Sequence, residues 1–582
     1  MRIAIITPPP FVLTAPAAAP SVLTSVLREH GHEAMCFDLS RFCVDRLLTE
    51  EHVRSAGIQG GRLPSAVVAG LAAWIPEVKS ALASSSTYTS VDLYDPARQS
   101  IDDALDLLAS AHGASRWTST RFSGDHDRTD AESLFAAARR GGEVFDRVLP
   151  EALAAIETFA PQVVAISLSI PDQLYPALRI GFLIRSALPH VKVVLGGASA
   201  TRIRTALLRL PDLFDFVDFL QLREGEFSIV ALVEALAARR DPIDSVAGLH
   251  ARRSGQIVSS TANTRGTFPL DRMPVPAFDD LNPGPYLSAR PLLPVSTTRN
   301  CYFNKCTFCA ISRSFDAGFR IMPPERSLEQ AMALRARHQG AILRDVSEAI
   351  PPPALLRYAD LAAATGDPPP FEANLRMEHR FADPGVAQRL YAGGLRTVHF
   401  GLESASPGVL RHMRKELDVQ VATTALRAFA EAGIWCHLFL IAGHPGETEG
   451  DHELTQNFLR LNRPWIHSIQ AQPFGLAVDS DLESLVDKYE MRLAARAPGS
   501  LSFDLDVEDW GAAPGPDVAR ARAQDLRRIA YGEADDTLAR SRLLWDAHRV
   551  EFAVARGLPE IRGSSNLAIR GPSWTETTAA GT

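Results

Sequence analysis

Two runs of short apolar strands alternating with amphipathic helices, parted by a proline-rich break, constrain this chain more than any other feature. Strand, helix and strand in short periods imply parallel pairing with right-handed crossovers. In the first run RIAIITPP and EAMCFDLS flank the helical SVLTSVLREHG; the rhythm resumes with VVAISLS (163–169), KVVLGG (192–197) and FVDFLQL (216–222). Between them, residues from about 45 to 155 hold Ala- and Leu-rich pieces such as IDDALDLLASA and AESLFAAARRGGEVFDRVL, which predict a mostly helical insertion. Residues 1–260 are therefore expected to form one doubly wound α/β domain. Its ligands would lie beyond the carboxyl ends of the strands, where TPPP, SLS, GG and REGE fall.

Residues 261–290 read as a linker, since FPLDRMPVPAFDDLNPGPY breaks every periodicity. The second run spans residues 291–480. Its strands are LPVSTT (293–298), GAILRDV (340–346), FEANLRM (371–377), TVHFGLES (397–404), WCHLFLIAG (435–443) and HSIQAQPF (467–474). Six β/α units predict an open, three-quarter relative of the eightfold barrel. The helix VQVATTALRAFAEAG is expected to stop at Gly433. Residues 481–582 read as a mostly helical region with a loose tail, SNLAIRGPSWTETTAAGT.

The 582 residues are 46% hydrophobic and 22% charged, enough for two or three buried cores. A formal charge of −8, with basic residues scattered, leaves no footprint for nucleic acid or an anionic membrane. A small-molecule or peptide substrate fits better. MRIAIITPPPFVL reads as a strand rather than a signal peptide, and no eighteen uninterrupted apolar residues occur, so a cytoplasmic protein without a membrane span is expected. Cys36, Cys43 and Cys436 lie apart in apolar surroundings and read as small buried thiols.

The other three cysteines fall within nine positions, RNCYFNKCTFC, in the loop after the first strand of the second run. Three thiolates on one loop can hold three irons of a [4Fe–4S] cubane and leave the fourth open to an outside ligand. A zinc site is the alternative, although no fourth Cys or His follows Cys309 within twenty residues. A redox pair of Cys306 and Cys309 is another.

This loop resembles the cysteine motif of the radical S-adenosylmethionine (SAM) superfamily, with C-x4-C-x2-C in place of the usual C-x3-C-x2-C. The resemblance implies that Cys301, Cys306 and Cys309 hold the cluster and that SAM binds its open iron. It places Phe308 near the adenine, Glu403 and Ser404 of FGLES on bound SAM, and Arg376 of ANLRM against the methionine carboxylate. Glu348 of DVSEAIPP takes a second-strand acidic position, and Gly443 of IAGHPGET lies in the turn beyond the fifth strand. Any one of these side chains alone would more often be a surface ion pair or an internal cap. An electron donor such as flavodoxin or ferredoxin is implied as a partner.

The first domain resembles the Rossmann-like cobalamin-binding domain that precedes the barrel in a large subgroup of the superfamily. The matching segments are TPPP, HGHEAMCFDLS, VVAISLS, VVLGGASA and REGEF. The resemblance implies corrinoid contacts from Thr7, Pro8, Pro9, Ser167, Ser169, Gly196, Gly197, Glu224, Gly225 and Glu226; a domain that keeps the shape without the cofactor is the alternative. No D-x-H-x-x-G occurs, so no histidine of that motif would ligate cobalt. Together these resemblances imply a cobalamin-dependent radical SAM C-methyltransferase acting on an unactivated carbon of a natural product or peptide. A ring-contracting or cyclising enzyme with the same cofactors and a non-catalytic cobalamin sensor are the alternatives.

Overall fold

The computed structural model describes all residues except 61–62, 114–115, 119–120, 263–266, 282–285, 316–317, 498, 532–547 and 556–582. The tail expected over 565–582 lies outside the described residues.

The first sheet contains β1 (Arg2–Thr7), β2 (Glu33–Asp38), β3 (Val163–Ser167), β4 (Lys192–Gly196), β5 (Phe219–Gln221), β6 (Leu249–Arg253) and β7 (Gln256–Ser259). Its spatial order is β2-β1-β3-β4-β5-β6-β7, with the first five strands parallel. The chain steps outward from β1 in both directions, so the strand order reverses between β1 and β3. In open parallel sheets that is where a crevice opens beyond the strand ends. Strands β6 and β7 form an antiparallel hairpin that the strand reading did not foresee. Its signal is the Ser254-Gly255 pair in RRSGQIV; both residues take positive φ, 51° and 81°, as a two-residue hairpin turn requires.

Between β2 and β3 the chain is mostly helical, as the Ala/Leu periodicity predicts, with one two-residue ribbon pairing Arg116–Trp117 to Phe122–Ser123. The helix Ser65–Leu82 has the length and mean hydropathy, 1.2, of a membrane span. It packs against the helices Glu50–Gly60 and Val91–Ser110, burying Val68, Ala72, Ile75, Val78 and Leu82 along one face.

The second sheet is a parallel six-stranded array in chain order: β8 (Leu292–Val295), β9 (Ile342–Asp345), β10 (Phe371–Arg376), β11 (Leu395–Glu403), β12 (Trp435–Ala442) and β13 (Ser468–Pro473). All six expected strands are present, within one to three residues at each end. The helix Val419–Glu431 buries Ala422, Ala425, Leu426 and Phe429 on the barrel, and Gly433 beyond it adopts φ 87°. Phe381, Phe400 and Phe429 meet at 5.1–6.5 Å between ring centroids and are fully buried.

The proline-rich break is not a free tether. Phe268, Leu270 and Met273 belong to the core beneath the first sheet, whereas Phe278 and Leu281 belong to that of the barrel. Ala277 N–H donates to Ser21 O at 3.0 Å, Arg28 pairs with Asp280 at 2.7 Å, and Tyr286 Oη–H donates to Asp38 Oδ2 at 2.5 Å. Proline denied this segment a ladder, while its apolar residues still found two cores.

Replacing Phe400 by Ala is expected to cost about 3–5 kcal/mol, read as a loss of unfolding free energy in denaturant titration. Phe227→Ala, at a position 43% exposed, should stay within about 1 kcal/mol of the parent. Equal losses at the two positions would contradict the barrel core described here.

Candidate active site

The cysteine loop leaves β8 and is closed by a short antiparallel ribbon pairing Thr298 with Ile321 and Arg299 with Arg320. Its root is pinned to the neighbouring strand. Ser347 Oγ accepts from the N–H groups of Thr297 and Thr298 at 3.0 and 2.9 Å, and Thr297 Oγ1–H donates to Asp345 Oδ2 at 2.6 Å. Asn374 on β10 donates to Ser347 O at 2.8 Å, so three successive strands hold one turn. Within the loop Asn300 and Asn304 take positive φ, 61° and 49°, a conformation asparagine tolerates better than most residues. From its far side Thr307 N–H donates to Met413 O at 3.0 Å, and Leu482 N–H donates to Thr307 O at 2.9 Å.

Cys301, Cys306 and Cys309 are all half-buried free thiols, whereas Cys36, Cys43 and Cys436 are buried. Three half-buried thiols on one loop suit a cluster whose thiolates bind different irons. Burial pushes the Cys309 thiol up to about 12; burial also raises Cys306, opposed by the charges of Lys415 and Arg376.

Those two cations are the floor of the site. Arg376 closes β10, 7% exposed, with its guanidinium 3.2 Å from the centroid of Phe303 in the cysteine loop. Its Nη2 donates to Lys415 O at 3.0 Å. Glu403 ends β11 at φ 66°, where a register shift between Gly401 and Glu403 turns the chain. Lys415 Nζ lies 2.9 Å from Glu403 Oε1 and 5.9 Å from the Phe308 ring. Burial lowers the Lys415 pKa, but Glu403 and Cys306 outweigh it and hold the ammonium above its ordinary range. Gly401 lies beside this pair: a Cβ there would sit 2.7 Å from Glu403 Oε1 and 2.9 Å from Lys415 Nζ, so a larger residue would displace one of the two side chains. Lys415 was not among the residues singled out from the sequence. It lies in the polar run RHMRKELD, which reads as a solvated turn, and only the fold brings it under the cysteine loop.

The other expected residues divide. Glu348 opens into the space between the domains, where surrounding protein pushes its carboxyl up to about 7 and Arg202 of the first domain opposes the shift. Ser404 faces inward, its Oγ 3.2 Å from Thr455 Oγ1 and accepting from Ser406 N–H at 3.1 Å. Gly443, at φ 83°, makes room for the helix Pro516–Tyr531: a Cβ would meet Ala519 Cβ at 2.4 Å.

In the first domain, Thr7, Pro8, Pro9, Ser167, Ser169, Gly196 and Gly197 gather at the β1/β3/β4 strand ends, with Ser169, Gly196 and Gly197 partly open. Gly197, at φ 107°, has its own structural reason, since a Cβ would lie 2.5 Å from Leu168 O. Gly225 caps the helix Glu226–Ala237. Glu224 and Glu226 are committed elsewhere: Glu224 pairs with Arg320, and Glu226 Oε1 lies 2.7 Å from Arg299. Both arginines belong to the ribbon that closes the cysteine loop. The two carboxylates expected on a corrinoid thus also tie the first domain to the cysteine loop.

A parallel six-stranded barrel with three cysteines on its first loop, joined to a doubly wound domain, defines the class. Residues 295–459 match the Radical SAM superfamily model, a span running from the end of β8 through β12. The barrel thus carries a radical SAM domain, and the two-domain fold is shared with solved cobalamin-dependent radical SAM enzymes. The cobalamin-dependent SAM radical enzyme OxsB, solved with aqua-cobalamin and SAM bound, aligns at TM-score 0.58 and 13% identity, over 89% of this chain and 66% of OxsB. The radical SAM methyltransferase TsrM of Kitasatospora setae, solved with cobalamin and a [4Fe–4S] cluster, aligns at TM-score 0.55 and 12% identity over 92% and 89%. Among curated proteins, methyltransferase PH0819 of Pyrococcus horikoshii is 25% identical over 319 residues, 52% of this chain and 65% of that protein. Hopanoid C-3 methylase of Methylococcus capsulatus is 24% identical over 302 residues, 49% and 54%. The aligned part is less than two thirds of the length of either curated relative.

Lys415→Met would strand the buried Glu403 carboxylate and is expected to cost about 3–5 kcal/mol in chemical denaturation. Adding Glu403→Gln should restore part of that loss. Additive losses in the double variant would show that the two groups do not interact.

Proposed function

We propose that this chain is a cobalamin-dependent radical SAM methyltransferase that acts on an unactivated carbon of a small molecule. The observation that carries the reading is the facing of two sites: the cysteine loop at the barrel mouth is tied by Arg299 and Arg320 to the strand-end crevice of the doubly wound domain. When bound, the cluster and SAM supply one-electron cleavage to a 5′-deoxyadenosyl radical, and the corrinoid supplies a methyl carrier.

The residues of this chain would then position and shield. Cys301, Cys306 and Cys309 would hold three irons; Arg376 would face the SAM carboxylate across Phe303, and Glu403, braced by Lys415, would accept from its ammonium or a ribose hydroxyl. Small residues at the β3 and β4 ends, Ser169, Gly196 and Gly197, would let a flat macrocycle approach the backbone. Glu348 faces the space between the two sites and is suited to hold or move a proton near neutral pH. The electron would come from a one-electron carrier such as flavodoxin or ferredoxin. Methyl transfer is favoured over ring contraction or cyclisation because both curated relatives are named for methyl transfer.

Anaerobically reconstituted protein should hold about four irons and four sulfides per chain and one corrinoid, and should convert SAM to 5′-deoxyadenosine. Cys301→Ala, Cys306→Ala and Cys309→Ala should each abolish that cleavage while leaving corrinoid bound. With methyl-labelled SAM, label should reach the corrinoid and then product. Cleavage in which no label ever leaves SAM for either destination would refute the methyltransferase reading while leaving the radical chemistry intact.

A further inference from the structure

We propose that Asp125, His126 and Glu143, in the helical insertion and remote from the cysteine loop in sequence, form a second metal site for a divalent first-row ion such as zinc. One ligating atom from each lies within 4.8 Å of those of the other two, a grouping of three His, Cys, Asp or Glu side chains not otherwise found among the described residues. His126 Nδ1 is 3.3 Å from Glu143 Oε1, long for a charge-assisted hydrogen bond. Ligands about 2.0–2.2 Å from one tetrahedral zinc stand roughly 3.3–3.5 Å apart, which matches.

A second observation points to a ligand. The Glu143 side chain is 3% exposed and His126 4%, yet Glu143 Oε2 has no hydrogen-bond partner. A carboxylate buried that deeply has acceptor capacity beyond one long contact to imidazole and the Asp125 N–H at 3.2 Å. A cation would take up that capacity. Asp125 holds Arg140 at 3.0 and 3.1 Å on the exposed side, and a carboxylate has lone pairs enough to keep that partner while giving one oxygen to a metal. The exposure of Asp125 leaves a fourth position to water. Gly124 is what lets the groups meet: a Cβ there would fall 2.2 Å from Glu143 Oε1 and 2.5 Å from His126 Cε1.

The ion would act as a clasp. The His126 ring stacks on Tyr175 at 4.6 Å, Phe122 N–H donates to Asp172 Oδ2 at 3.0 Å, and Arg128 pairs with Asp172. Asp172 and Tyr175 lie within about six residues of Ser169, so the metal would hold the insertion against the segment that follows the β3 strand end.

The test uses the full chain carrying Cys301→Ala, Cys306→Ala and Cys309→Ala, so that cluster iron does not confuse the metal count. After equilibration with zinc and removal of excess, elemental analysis should give about one zinc per chain, falling below about 0.2 in the same protein with His126→Ala or Glu143→Gln. In the otherwise native protein the same two substitutions should leave iron content and SAM cleavage unchanged, separating this site from the cluster. Manganese or iron retained in place of zinc, and lost with the same substitutions, would equally support the site. A folded triple-Cys protein that holds no divalent ion, or one whose zinc survives both substitutions, would overturn it. Should either variant fail to fold, saturable zinc binding with a raised melting temperature in the triple-Cys protein decides the same question.

Discussion

Two ion pairs at the root of the cysteine loop organise the rest of the molecule. Glu224 and Glu226 follow β5 of the first domain, and Arg320 and Arg299 form the ribbon that closes the loop carrying the three thiols. Exposed pairs of this type contribute little, but Glu226 is 7% exposed, and removing one partner would leave the other charge stranded in a domain junction. Their larger effect is geometric. They fix the cysteine loop, and any cluster it holds, relative to the β1/β3 crevice, and a reaction that moves a group between two cofactor sites depends on that separation.

The barrel side of the site is rigid for a different reason. Ser347, Asp345 and Asn374 spend side-chain hydrogen bonds on the turn after β8, and Lys415 neutralises Glu403 under Phe308. These contacts tie the turn after β8 and the Glu403 carboxylate to their neighbours. Glu348 differs: it is exposed, the charge of Arg202 in the first domain opposes the rise of its pKa, and Arg202 also lies 5.2 Å from the Phe503 ring. A rigid cluster loop with a polar, adjustable space above it is an arrangement in which substrate identity can change without disturbing cofactor geometry.

The strands of both sheets were legible because parallel strands buried on two faces read as continuous apolar runs, and VVAIS and WCHLFLIA could hardly be anything else. The cysteine loop was legible because thiols are rare and their spacing is local. Three things were not. The β6–β7 hairpin is short and polar, LHARR and QIVS, so its period is masked by arginines. Lys415 gains its meaning from a contact with Glu403 twelve residues away and from the fold of the intervening helix Pro407–His412. Glu224 and Glu226 were read by position as ligand contacts, whereas their partners lie 96 and 73 residues downstream, a distance at which sequence pattern carries no information about pairing.

The regions that resemblance leaves unexplained are also those that enclose the site. The helix His548–Ala555 lies against β11 and β12; His548 Nε2–H donates to Leu287 O at 2.6 Å, and its Nδ1 accepts from the Tyr94 hydroxyl of the insertion at 2.9 Å. Burial drives that imidazole down to about 3, which leaves it neutral near pH 7. Three residues on, Glu551 is buried against Arg290 at 2.6 Å. Insertion, linker and C-terminal helix therefore converge on one polar knot, built from segments about 450 residues apart in the chain. That knot ties the insertion and the C-terminal helix to the segment that enters the barrel. Variation in these segments can reshape what enters the cleft, while the two sheets keep the cofactor sites at a constant spacing.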